Sequence, residues 1–150
     1  MHRVSRQKLN SCFRQNSAAV IAITTISGEV QICIAGHCPI IWVRRGEIRS
    51  LDATGLPLGI FRNSSYALTT IEAEPGDSLV LYTDGLTEAQ DRSGQEYGTD
   101  RIVGLMATVW KLSAQATIDA CLNNLADFQA GCSKHDDLTI MVVKRSDVPL

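Results

Sequence analysis

The chain has 150 residues, 45% hydrophobic and 20% charged, with a formal net charge of −2 and a sequence pI near 5.9. That length predicts a single domain, residues 1–150, burying roughly two-thirds of the surface its unfolded form exposes. The composition excludes wholesale disorder, and the mild acidity gives no electrostatic case for a nucleic-acid partner. The only basic concentration, Arg3, Arg6, Lys8 and Arg14, is confined to the N-terminal segment.

For that N-terminal segment a helix is one reading; it lacks the apolar core and cleavage site of a secretory signal. The longest apolar stretch, AAVIAITTI at 18–26, is too short to span a bilayer and is rich in β-branched residues, so it predicts a buried strand. The expectation is a cytoplasmic protein with no membrane partner. Strand-like runs at 18–25 and 29–34 surround a Ser27-Gly28 turn, a hairpin signal. IIWVR at 40–44 and EIRS at 47–50 flank Arg45-Gly46 in the same manner. ALTTIEA at 67–73 and SLVLYT at 78–83 are joined by Glu74-Pro75-Gly76-Asp77, where Pro and Gly suit a turn. The first half therefore predicts six strands with short antiparallel connections.

Past Gly98 the apolar period lengthens from two toward about 3.6. Ile102, Val103, Met106, Val109 and Trp110 predict one amphipathic helix, and Ile118, Cys121, Leu122, Leu125 and Phe128 a longer one. Ser113 suits the N-cap of the second and Gly131 its stop. LTIMVV at 138–143 returns to strand. Antiparallel strands, then helices, then a closing strand indicate α+β with helices packed on a sheet.

The five cysteines, Cys12, Cys33, Cys38, Cys121 and Cys132, are odd in number and show no C-x-x-C pair, which argues against a disulfide framework or a structural zinc site. Cys33 and Cys121 read as small core hydrophobes.

Two strand ends carry carboxylates. SLVLYTDGLTE at 78–88 stops at Asp84 and Gly85, and SKHDDLTIMVV places Asp136 and Asp137 before the closing strand. Asp-Gly is a common turn dipeptide, and Asp136 and Asp137 can equally cap a turn after the helix. Alternatively, antiparallel neighbours bring the end of one strand beside the start of another, so that Asp84 and Asp136 converge. Carboxylates that meet repel unless a cation or proton lies between them, and oxygen-only ligation suits Mg²⁺ or Mn²⁺. From these residues alone both readings stand.

Taken in order, AGHCP at 35–39, GLPLG at 55–59, GDSLVLYTDGLTEAQDRSGQEYG at 76–98 and HDDLTIMVV at 135–143 resemble the bacterial PPM-type serine/threonine phosphatases of the sporulation stage II protein E class. The resemblance runs from about Leu9 to Lys144. It implies an antiparallel β-sandwich flanked by helices, and a binuclear Mn²⁺ or Mg²⁺ centre that activates water for attack on phosphoserine or phosphothreonine. By it, Asp84 and Asp136 match metal aspartates, Gly85 keeps the loop tight, and Asp137 supports rather than binds. No catalytic residue beyond the metal-activated water is implied. The implied substrate is a phosphoprotein, such as an anti-sigma-factor antagonist. His37, in AGHCP, matches a structural turn.

One departure lies upstream. The family's opening strands carry an Asp-x-x-Gly motif whose Asp bridges both metals, whereas the first 30 residues here contain no Asp. The expected domain is thus N-terminally incomplete, with one metal site retained and an open sheet edge. Two alternatives accompany the phosphatase reading. One is an impaired, non-catalytic module that binds a regulatory partner; the other is a half that completes its sheet with a second copy or a separate N-terminal piece.

Overall fold

A computed structural model describes residues 18–23, 28–58, 65–131 and 137–146. The expected N-terminal helix, the Ser27 turn residue, Cys12, Cys132 and Asp136 lie outside the described residues. The chain divides into two compact units, Met1–His37 with Asp52–Glu72, and Cys38–Leu51 with Ala73–Leu150.

The first unit holds an antiparallel sheet in the order β1 (Ala18–Ile23), β2 (Glu29–Ala35), β5 (Thr69–Glu72). The register runs from Ala18 opposite Ala35 to Ile23 opposite Val30, as the hairpin signal predicts. Val30, Ile32 and Ile34 are buried at alternate positions along β2, the two-residue period of a half-buried strand. Beyond β2, the Gly36 N–H donates to the Gly55 carbonyl at 2.9 Å. Gly36 sits at φ +65°, and a Cβ there would lie 2.3 Å from Pro57 Cγ. A Cβ on Gly55 would in turn meet the Tyr66 ring at 2.5 Å. Gly36 and the segment 55–57, separate in sequence, therefore pack together, and Gly36 and Gly55 permit the close backbone approach.

The second unit holds an antiparallel sheet in the order β4 (Glu47–Leu51), β3 (Ile40–Arg44), β6 (Ser78–Tyr82), β7 (Ile140–Lys144). Arg45 and Gly46 both have positive φ, 51° and 85°, and Arg44 pairs with Glu47. This is the two-residue hairpin loop that matches strand twist. A one-turn helix α1 (Asp84–Thr87) follows β6, and α2 (Gly98–Val109) and α3 (Ala114–Gln129) precede β7. One sheet face presents Ile41, Val43, Val80 and Tyr82 to Leu86, Tyr97, Ile102, Met106, Cys121 and Leu125, forming a single buried cluster. Each fully buried side chain of this size contributes about 1.5–3 kcal/mol.

The helix ends are satisfied locally. Ser113 Oγ accepts from the Ala116 N–H at 3.2 Å, so the predicted N-cap is observed. Lys144 Nζ donates to the Trp110 and Leu112 carbonyls at 2.7 and 2.8 Å, closing α2, while the Arg92 guanidinium donates to the Ala130 carbonyl behind α3.

One predicted connection is corrected. ALTTIEA and SLVLYT do not form a hairpin: β5 pairs with β2, whereas β6 pairs with β3 and β7 in the other sheet. The Pro75-Gly76 turn links the two sheets. Asp77, read as a turn residue, is buried and accepts from Trp42 Nε1 at 3.2 Å, Arg44 Nε at 2.9 Å and the Glu74 N–H at 2.8 Å. Arg44 also stacks 4.7 Å over the Trp42 ring. The Asp77 carboxylate, hydrogen-bonded to Arg44, raises the guanidinium's pKa further, so the guanidinium stays charged at physiological pH. Asp77 thereby clasps β3 to the start of β6.

Candidate metal centre

The strand β6 is buried over most of its length and stops at Thr83, extended at φ −89° and ψ 163°. The backbone then winds into α1. The Leu86 N–H donates to the Thr83 carbonyl at 3.0 Å, and the Asp84 carbonyl accepts from the Glu88 N–H at 2.8 Å and from Thr87 Oγ1 at 3.2 Å. Leu86, 1% exposed, anchors this turn in the helical core. Asp84 therefore sits on a rigid junction between a central strand and a helical turn.

Antiparallel pairing supplies the other side. Tyr82 is opposite Ile140, and the ladder continues one step further through the Thr83 N–H, which donates to the Thr139 carbonyl at 3.1 Å. The Thr83 hydroxyl accepts from the Thr139 N–H at 3.0 Å and donates to the Asp137 carbonyl at 3.2 Å. Gly85 completes the contact: a Cβ there would lie 2.4 Å from the Asp137 carbonyl oxygen. Only hydrogen fits between the two backbones. Of the residues singled out in the sequence, Asp84, Gly85 and Asp137 meet at one corner; Asp136 lies outside the described residues.

The corner is negative. The thiol of Cys38 is pushed up in pKa first by burial and then by the Asp84 and Glu88 carboxylates. Among the described residues no group of three or more His, Cys, Asp and Glu is gathered for a metal. The Asp84 carboxylate offers hard oxygen atoms at this corner, and the Gly85 contact brings the Asp137 backbone against its junction. That chemistry fits Mg²⁺ or Mn²⁺ better than Zn²⁺.

Sequence reasoning missed Thr83 because a Thr at a strand end reads as β propensity. Its only signal was its place between Tyr82 and Asp84, opposite the Thr139 of the closing strand.

Residues 2–146 match the family described as Stage II sporulation protein E (SpoIIE). The chain is 29% identical over 151 residues to the phosphoserine phosphatase RsbU of Bacillus subtilis (strain 168), across 93% of this chain and 44% of that protein. The phosphatase domain of the cell fate determinant SpoIIE from Bacillus subtilis (Mn presoaked) superposes with a TM-score of 0.71 at 15% identity, over 96% of this chain and 66% of that one. The RsbU and RsbW domains of Rv1364c from Mycobacterium tuberculosis give 0.68 at 25% identity, over 98% and 44%. The chain spans less than half the length of the curated relatives it matches. The mixed helix and antiparallel-sheet fold is that of PP2C phosphatase domains. With nearly its whole length matched, the chain belongs to the stage II sporulation protein E family of PPM-type phosphatases.

Proposed function

We propose that residues 1–150 act as one PPM-type domain in the cytoplasm, hydrolysing phosphoserine or phosphothreonine on a regulatory protein, with Mn²⁺ or Mg²⁺ as cofactor. The observation that carries this reading is the cross-strand corner, where Asp84 is held against the Asp137 backbone by the Thr83 hydroxyl and the Gly85 contact. Asp84 and Asp136 would hold the ion, with Gly85 and Asp137 supporting them. When bound, such an ion neutralises phosphate charge and acidifies the water it coordinates. The chain's own part is positional: β6 and α1 fix the carboxylate. No serine or cysteine nucleophile is assigned.

The similarity to RsbU, named a phosphoserine phosphatase, and to the RsbU and RsbW domains of Rv1364c supports a phosphoprotein in sigma-factor regulation as substrate, such as an anti-sigma-factor antagonist. Net charge −2 argues for a protein rather than a nucleic-acid partner. Among the described residues no helix is long and apolar enough to cross a membrane. The test is phosphate release from a phosphoserine protein by the purified chain with Mn²⁺. Release that chelation abolishes supports the proposal. A folded chain that binds the phosphoprotein without hydrolysing it favours the binding-module reading. Activity that appears only with self-association or an added N-terminal piece favours complementation.

A further inference from the structure

We propose that Thr83 is a positioning residue for the Asp84 carboxylate, acting through the two hydrogen bonds its hydroxyl makes to the strand opposite. The inference rests on the metal-dependent reading above. Thr83 occupies the N-cap of α1, where a Thr hydroxyl ordinarily accepts from an N–H of the first helical turn, yet its side chain makes no capping bond. The hydroxyl is turned across the sheet. It accepts from the Thr139 N–H at 3.0 Å and donates to the Asp137 carbonyl at 3.2 Å, so one oxygen is used in both directions.

The geometry explains why this matters for the neighbouring carboxylate. The β6–β7 backbone ladder reaches its last bond at Thr83 N–H to Thr139 carbonyl. Beyond it the two chains part, one into α1 and the other toward Asp137. The Thr83 hydroxyl ties the Asp137 backbone to the Asp84 junction, at the point where Gly85 lets the two backbones approach closely. The threonine extends strand-like order one residue past the ladder, to where the carboxylate stands. A β-branched side chain suits this, because its χ1 is restricted and the hydroxyl is held toward the neighbouring strand.

The experiment is an electron paramagnetic resonance titration of the full chain with Mn²⁺ alone, at a temperature where every variant is folded. Thr83→Val keeps the branched shape and removes both bonds; Thr83→Ser keeps the hydroxyl. The expected result is a Mn²⁺ dissociation constant raised at least about tenfold in Thr83→Val, the range for lost outer-shell partners, and restored in Thr83→Ser. Faster hydrogen exchange at the Thr139 amide in Thr83→Val should accompany it. Lower thermal stability with unchanged Mn²⁺ affinity would mean a merely structural threonine and overturn the inference. A wild-type chain that binds no Mn²⁺ overturns the metal reading and this inference with it, whereas wild-type binding that Thr83→Val leaves unchanged overturns this inference alone.

Discussion

Gly85→Ala perturbs the corner with one methyl group. The added carbon would stand 2.4 Å from the Asp137 carbonyl oxygen, whereas ordinary contact begins near 3.4 Å, so the two backbones must separate by about 1 Å, the difference between those distances. The Thr83 hydrogen bonds at 3.0 and 3.2 Å do not survive such a shift. Two lost bonds at about 1 kcal/mol each, added to an overpacking cost of about 1–3 kcal/mol, predict a loss of roughly 3–5 kcal/mol. Urea unfolding followed by tryptophan fluorescence reads it as a lower midpoint at unchanged slope. Mn²⁺ affinity of the folded fraction should fall at least about tenfold. Gly104→Ala is the control: Gly104 lies in α2 with nothing within 4 Å of a Cβ, so alanine should stabilise by about 0.5–1 kcal/mol. Wild-type stability and affinity in Gly85→Ala would refute the reasoning.

Further outcomes follow from other sites. Asp77→Ala leaves Arg44, Trp42 Nε1 and the Glu74 N–H without their shared acceptor and should cost about 3–5 kcal/mol by chemical denaturation, with Mn²⁺ affinity of the folded fraction unchanged. Ala130 sits in the left-handed region at φ 47°, so Ala130→Gly should raise stability by about 1 kcal/mol; a lower urea midpoint contradicts it. Burial pushes the Cys121 thiol from 9.0 up to about 11 and raises the Tyr97 phenol. The unfolded chain then binds fewer protons than the folded one, so stability should fall as pH rises from 9 to about 11, and a urea midpoint that climbs over that interval would refute this.

What was legible in the sequence was whatever local chemistry decides. Arg45-Gly46 announced a tight hairpin, Ser113 an N-cap, and the 3.6-residue period both long helices. The α3 stop came one residue early, with Ala130 already left-handed before Gly131 at φ 86°. Pro75-Gly76 misled, because a turn between paired strands and a turn between sheets use the same residues; partner choice is set by the distant strands β2, β3 and β7. Asp77 was hidden for a related reason. Its carboxylate is buried by Trp42 and Arg44, more than thirty positions earlier, and no local pattern reports that. The four-residue α1 is too short to show a helical period. That the end of β6 lies beside the start of β7 was legible because antiparallel neighbours join a strand end to a strand start, whereas the expected convergence of Asp84 with Asp136 falls outside the described residues; the Thr83 hydroxyl that fastens the two segments was not legible, since its partners are backbone groups 54 and 56 residues away.

The most direct test of the central claim is Mn²⁺-dependent hydrolysis of a phosphoserine peptide by the purified chain beside Asp84→Asn, with circular dichroism establishing that both are folded. The account predicts hydrolysis by the wild-type chain and its loss in Asp84→Asn. A folded wild-type chain without activity, or activity that Asp84→Asn leaves intact, contradicts it.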